Sequence, residues 1–65
     1  MARREATIAA AVFEIQYRCT YREFWYYHDT RDTLQEAIDE ASRLKKQTNR
    51  AVRVLNLHGQ IIHRA

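Results

Sequence analysis

The stretch DTLQEAIDEASRLKK, residues 32–46, decides the fold of this 65-residue chain. Its apolar residues recur at intervals of three and four positions: Leu34, Ala37, Ile38, Ala41 and Leu44. This spacing follows the 3.6-residue period of a helix and predicts one apolar stripe, with the charged residues on the remaining faces. Because no other segment shows this period, the apolar residues elsewhere in the chain must pack against this one amphipathic helix.

Signals for both ends of the helix flank this stretch. Thr33, followed three residues later by Glu36, fits a capping box, and Asp32 is an alternative N-cap. Acidic residues come early and basic residues late, which suits the dipole of a helix. Thr48 and Asn49 predict the end, since Asn tolerates the left-handed conformation that follows many helices.

Two strands are predicted before the helix. Residues 13–20 alternate between apolar and polar side chains, and residues 24–28 are the aromatic run FWYYH. A short reversal at Tyr21-Arg22 joins them, although it lacks the Gly or Asn that the tightest hairpin turns favour. Residues 1–6 are predicted to fray. Residues 6–11 are open to two interpretations, a single helical turn or an extension of the first strand.

Two further strands are predicted after the helix. Residues 51–55 are AVRVL and residues 60–64 are QIIHR, and a turn that ends at Gly59 joins them. The order strand, strand, helix, strand, strand predicts a single α+β domain of the ββαββ type. We expect an antiparallel four-stranded sheet with the helix on one face.

The alternation also predicts which side chains share a face. Pairing Thr20 with Glu23 places three apolar pairs under the helix, Cys19–Phe24, Tyr17–Tyr26 and Ile15–His28. It places three other pairs on the opposite face: Arg18–Trp25, Gln16–Tyr27 and Glu14–Asp29. In the second hairpin, pairing Asn56 with Gln60 sets Val54 opposite Ile62 and Val52 opposite Arg64, and leaves Arg53, Leu55, Ile61 and His63 on the opposite face. A slip of one residue would exchange the two sets.

The face away from the helix is the predicted contact surface. One helix covers only one face of a four-stranded sheet, so Arg18, Trp25, Tyr27 and Arg53 are expected to contact a partner. Trp, Tyr and Arg are the residues enriched at binding hot spots. In the alternative interpretation, strand twist and the segment Thr7–Val12 cover this face.

Patterns typical of catalysis or metal binding are missing from the sequence. Cys19 is the only cysteine, so no intramolecular disulfide can form, and we interpret it as a small buried side chain. The three histidines lie on different predicted elements without metal-ligand spacing, and the single glycine excludes a glycine-rich phosphate loop. We therefore predict a protein that is not an enzyme and holds no cofactor or metal.

The net charge of +3 is mildly basic. An alternative basic surface that could contact phosphate comprises Arg43, Lys45, Lys46 and Arg50. A nucleic-acid-binding regulatory domain is therefore one alternative function, and an oligomer that sequesters a small ligand at a subunit interface is another. With no apolar run approaching ~20 residues and no secretory pattern, we expect a cytoplasmic protein without a membrane segment.

The run Thr33-Leu34-Gln35-Glu36-Ala37 with Ala41, followed by Val52-Arg53-Val54 and a Gly turn, resembles small hairpin–helix–hairpin proteins of bacteria and phages. It is similar to compact phage-encoded inhibitors, including some anti-CRISPR proteins and a short inhibitor of host RNA polymerase. The likeness covers about the last half of the chain and transfers no functional residue. It implies a phage protein in the host cytoplasm that occupies the surface of a host protein or ribonucleoprotein complex, such as a CRISPR effector or RNA polymerase. Homodimerisation through the uncovered face is the simplest version of protein binding.

Overall fold

The computed structural model describes residues 12–65, which form four strands and one helix. The elements are β1 (Phe13–Arg18), β2 (Trp25–Arg31), α1 (Leu34–Thr48), β3 (Val52–Leu55) and β4 (Ile61–Arg64). The strands pair antiparallel in one sheet, and α1 packs on one side of it. The predicted ββαββ α+β fold is confirmed. The predictions for residues 1–11 fall outside the described residues.

The strand order is β2-β1-β3-β4, so the first strand of each hairpin meets at the centre of the sheet. β1 pairs with β3 through Ile15–Val54 and Tyr17–Val52, and these pairs lie under α1. β2 and β4 are the two edges. The uncovered side of the sheet therefore collects side chains from both hairpins.

The two ends of α1 follow the predicted signals. Thr33 is the N-cap, and its Oγ1 accepts a hydrogen bond from the Glu36 N–H at 3.2 Å. Asn49 caps the other end with φ 58°, in the left-handed region, and its N–H donates to the Lys45 carbonyl at 2.8 Å. The cap geometry thus fixes where the chain leaves the helix for β3.

The core lies between α1 and the central strands. Its buried residues are Ile15, Ala37, Ala41, Leu44, Val52 and Val54. Two alanines on the buried face of α1 let the helix lie close to the sheet. Leu34, predicted on the apolar stripe, is 40% exposed, and Ile38 is only half-buried. Glu40 completes the buried stripe instead, although its charge predicts a place on the polar faces of the helix.

The first hairpin has the predicted register near its loop and a different one further along. The pairs Arg18–Trp25, Gln16–Tyr27 and Tyr17–Tyr26 are confirmed. A bulge between Ile15 and Gln16 then gives β2 one extra residue, so Ile15 pairs with Asp29 and Glu14 pairs with Thr30. The predicted pairs Ile15–His28 and Glu14–Asp29 are wrong, because a bulge sets two residues against one.

The second hairpin departs from its predicted register in the same way. The Asn56 N–H donates to the Gln60 carbonyl at 2.9 Å, as that pairing requires, and Gly59 has φ 80°. A bulge between Val54 and Leu55 follows, after which Val54 pairs with His63 and Arg53 pairs with Arg64. The predicted pairs Val54–Ile62 and Val52–Arg64 are wrong. His63 therefore lies on the helix side, and Arg64 lies beside Arg53 on the other face.

Candidate partner-binding face

The side of the sheet opposite α1 is called the open face here. Its residues alternate along each strand with those that lie under the helix. They are Glu14, Gln16, Arg18, Trp25, Tyr27, Thr30, Arg53, Leu55, Ile61 and Arg64. The four predicted contact residues, Arg18, Trp25, Tyr27 and Arg53, all lie on this face. The alternative interpretation covers this face with the segment Thr7–Val12. Of that segment the structure describes Val12 alone, and Val12 is exposed.

The indole of Trp25 is the centre of the open face. The Cζ atom of Arg53 lies 4.2 Å from its ring centroid, and the Cζ atom of Arg18 lies 5.7 Å from it. A guanidinium group over an indole gains about 0.5–2 kcal/mol, depending on how far the pair is desolvated. Since Trp25 is on β2 and Arg53 is on β3, this contact spans β1 and links the two hairpins.

A chain of side-chain hydrogen bonds orients Arg53. Its Nε–H donates to Gln16 Oε1 at 2.7 Å, and Gln16 Nε2 donates to Glu14 Oε2 at 2.8 Å. Within residues 12–65, the two Nη nitrogens of Arg53 make no hydrogen bond and have no carboxylate within 4.0 Å. Arg53 is therefore held at Nε and by the indole, and its two Nη groups are left for another acceptor.

Positive charge is concentrated on the open face. Burial lowers the pKa of the Arg53 guanidinium below its ordinary value, and the nearby charge of Arg64 lowers that pKa further. Arg18 has one carboxylate near it among the described residues, that of Glu23 at 3.8 Å, whose side chain is 93% exposed. An ion pair of this kind contributes little to stability. The open face therefore carries three arginines whose charges are largely uncompensated.

A shallow groove of about 270 Å³ lies among these arginines. Arg18, Trp25 and Arg53 line one part of it, and Ile61 and Arg64 line the part nearest the β4 edge. Tyr27 is 59% exposed on the same face. The groove thus combines guanidinium donors with aromatic and aliphatic surface, a composition suited to an anionic group carried by a partly apolar molecule.

The residues of the alternative basic surface have separate surroundings. Arg43 donates to both carboxylate oxygens of Glu40, at 2.9 and 2.5 Å, and to Gln47 at 3.2 Å. The Arg50 Cζ atom lies 5.6 Å from the ring centroid of Tyr17, on the helix side. Lys45 is half-buried and Lys46 is exposed. Two of these four cations are therefore already engaged within the fold.

A second charged cluster, absent from the sequence-based predictions, surrounds Glu40 under α1. Its side chain is 10% exposed, and its carboxylate lies 2.7 Å from His28 Nε2 and 3.5 Å from Arg31 Nη2. Hydrogen bonds from Arg43 and then His28 lower the pKa of Glu40 to about 2. An ionised carboxylate only accepts, so His28 Nε2 must carry the hydrogen. The burial of Glu40 could have been found from its spacing in the sequence. Glu40 follows Ala37 by three residues and precedes Leu44 by four, which places it on the buried stripe of α1.

Cys19 is buried, in agreement with its interpretation as a small interior side chain. Its Sγ lies 3.5 Å from the Tyr26 hydroxyl. That hydrogen bond lowers the pKa of the Cys19 thiol, as do the backbone N–H groups of Tyr21 and Arg22, while burial opposes the change. The thiol lies on the other side of the sheet from the open face and takes no part in it.

Two findings for residues 12–65 complete the description of the site. In this part of the chain, no three His, Cys, Asp or Glu side chains lie together as a metal site would require. No helix among the same residues has the length and apolar character needed to cross a membrane. Comparison of the chain with protein-family models, with curated proteins and with solved structures gave no match.

Proposed function

We propose that this chain is a non-enzymatic binding protein that occupies the surface of a partner macromolecule through its open face. The observation that carries the proposal is the Trp25 indole, flanked by Arg53 and Arg18 on the side of the sheet that α1 leaves uncovered. Trp, Tyr and Arg supply most of the energy at many interfaces because they bury large surfaces and fix orientation. All three residue types lie together here.

The chemistry of the open face supports binding rather than catalysis. Apart from Glu14, its members are arginines, aromatic residues, aliphatic residues, one amide and Thr30. The carboxylate of Glu14 already accepts a hydrogen bond from Gln16, and the His28 imidazole is engaged by Glu40 under the helix. A reaction would need a nucleophile or base aimed into a pocket, and a binding surface needs neither.

The resemblance to phage-encoded inhibitors suggests the class of partner. In this proposal, the open face occupies a surface of a host protein or ribonucleoprotein complex, for example a CRISPR effector or RNA polymerase, and thereby blocks it. The large, preformed surface of such a complex suits a small rigid sheet, because a rigid binder loses little conformational entropy on association.

Affinity capture from host lysate tests this proposal. The immobilised wild-type chain should retain a partner that Trp25→Ala and Arg53→Gln lose, while each variant keeps the wild-type circular dichroism spectrum. Lys46→Gln is the matched control, because it removes the same charge as Arg53→Gln from the exposed side of α1. Equal recovery of the partner by all four proteins would refute the proposal.

A nucleic-acid-binding regulatory domain is the second candidate. One observation favours it, the collection of Arg18, Arg53 and Arg64 on a face where, among residues 12–65, the strands contribute one other charged side chain, that of Glu14. Binding of this kind would weaken steeply with salt, because each neutralised phosphate releases counterions. A gel-shift titration at low salt against single-stranded and duplex DNA and RNA should show a complex if this candidate is right, and none if it is wrong.

A further inference from the structure

The geometry of Arg53 indicates what kind of group the open face takes. A guanidinium presents two parallel donors to a planar oxyanion when its plane and its Nε are fixed. Here the Nε–H bonds to Gln16 Oε1 at 2.7 Å, and the guanidinium lies 4.2 Å from the indole centroid of Trp25. Little side-chain entropy remains to be lost when the Nη pair meets a carboxylate.

Charge complementarity points in the same direction. Arg53 and Arg64 are directly opposite each other on β3 and β4, so two like charges are held together across a central and an edge strand. Like charges in that position are destabilising until an anion lies between them. A second copy of this chain would bring one carboxylate from its own open face, that of Glu14, to three arginines. An acidic partner compensates these charges better.

The apolar part of the open face distinguishes between anionic partners. Exposed Ile61 lines the groove beside the arginines, and exposed Tyr27 lies on the same face. Both offer contacts to aliphatic and aromatic side chains. A single-stranded nucleic acid would need aromatic ring faces on which to stack its bases. The ring of Trp25 is already covered by Arg53, which leaves Tyr27 as the one largely exposed aromatic ring among the described residues of this face, too few for a stacking platform.

We propose that the open face binds an acidic protein segment, with Arg53 donating hydrogen bonds from both Nη groups to one of its carboxylates and with Arg18 and Arg64 on either side. This inference rests on the proposed function and names the chemistry of the partner. Trp25 is the only tryptophan in the chain, so its fluorescence reports directly on the occupied site.

The test is a fluorescence titration of the full chain with a short oligomer of L-glutamate and, separately, with an oligothymidylate. We expect saturable binding of the glutamate oligomer. Arg53→Lys should weaken binding of the glutamate oligomer about tenfold. The lysine ammonium keeps the charge but cannot form the bidentate contact, and a tenfold change corresponds to about 1.4 kcal/mol. Lys46→Gln, which lowers the net charge by one elsewhere, should stay within about twofold of wild type.

Three results would overturn the inference: wild-type affinity in Arg53→Lys, tighter binding of oligothymidylate than of the glutamate oligomer, or no saturable response to the glutamate oligomer. None of them decides the proposed function, which the capture experiment tests separately. If capture depends on Trp25 and Arg53 while the glutamate oligomer fails, the open face binds a partner whose chemistry is different.

Discussion

Both faces of the sheet carry cationic side chains, but these are compensated by carboxylates to very different degrees. On the covered side, Arg31, Arg43 and His28 surround the Glu40 carboxylate, and Arg31 also pairs with Asp29. On the open face, the described carboxylates near Arg18, Arg53 and Arg64 are those of Glu14, which reaches Arg53 only through Gln16, and of Glu23, which is 93% exposed and lies 3.8 Å from Arg18. The comparison teaches that an arginine indicates a binding surface only when the fold supplies no acceptor for it.

Burial explains why the covered side must be neutralised. A carboxylate removed from water costs several kcal/mol unless cations and hydrogen bonds compensate it. The position of Glu40 on the inner stripe of α1 imposes this requirement, and residues from β2 and α1 meet it. The arginines of the open face remain partly hydrated, so the fold can leave them uncompensated.

The largest expected effect is the loss of the carboxylate on the covered side. Glu40→Ala removes the carboxylate that accepts hydrogen bonds or ion pairs from His28, Arg31 and Arg43. We expect the free energy of unfolding to fall by about 3–4 kcal/mol. Urea denaturation followed by circular dichroism measures this change. Glu36→Gln, in the exposed first turn of the same helix, should remain near wild type. If Glu40→Ala has a wild-type midpoint, the cluster does not stabilise the fold.

Acid should reproduce most of this loss without a mutation. The pKa of Glu40 is about 2 in the fold and ordinarily 4.5, so the unfolded state takes up the proton first as the pH falls. The contribution of Glu40, about 3 kcal/mol, is therefore complete above about pH 4.5 and disappears as the pH falls through about 2. Urea midpoints from pH 6 downward should decline more steeply for wild type than for Glu40→Gln. Parallel declines would contradict the assignment.

Neighbouring residues of β3 offer a smaller contrast between the faces. Val54 is fully buried under α1, whereas Leu55 is half-buried on the open face. Val54→Ala should cost about 2 kcal/mol, through lost burial and a cavity. Leu55→Ala should cost about 1 kcal/mol despite removing a larger side chain, because much of its surface already meets water. Chemical denaturation of both variants measures the difference, and a larger loss for Leu55→Ala would reverse the assignment of faces.

The smallest effect concerns the arginines themselves. Arg53→Gln loses the contacts of the guanidinium but also removes its repulsion with Arg64. Because these two effects oppose each other, the free energy of unfolding should stay within about 0.5 kcal/mol of wild type. Arg43→Gln, the same chemical change on the helix, removes two hydrogen bonds to buried Glu40 and should lower the urea midpoint visibly. A lower midpoint for Arg53→Gln than for Arg43→Gln would mean that Arg53 serves the fold.

Much of the architecture can be predicted from the sequence because local signals decide it. Thr33 and Asn49 mark the ends of α1, and the apolar period marks its side, so the order of the elements follows. The alternation in the first three strands also predicts correctly that Arg18, Trp25 and Arg53 lie away from the helix.

The two bulges could not be predicted, because no Gly or Pro marks them and they depend on packing between elements. The bulge in β2 lies next to His28, whose imidazole bonds to Glu40 of α1. The bulge in the second hairpin moves Arg64 to the open face and His63 away from it. The third arginine of the site was therefore missed for a tertiary reason, as was the burial of Glu40.

The most direct test of the central claim is a nuclear magnetic resonance titration of the labelled chain with the partner recovered by capture. We predict that the largest shifts fall on the Trp25 indole N–H and the Arg53 Nε–H, while the amides of Lys45 and Lys46 on α1 stay nearly unchanged. The largest shifts on α1, with the Trp25 indole unmoved, would contradict the account.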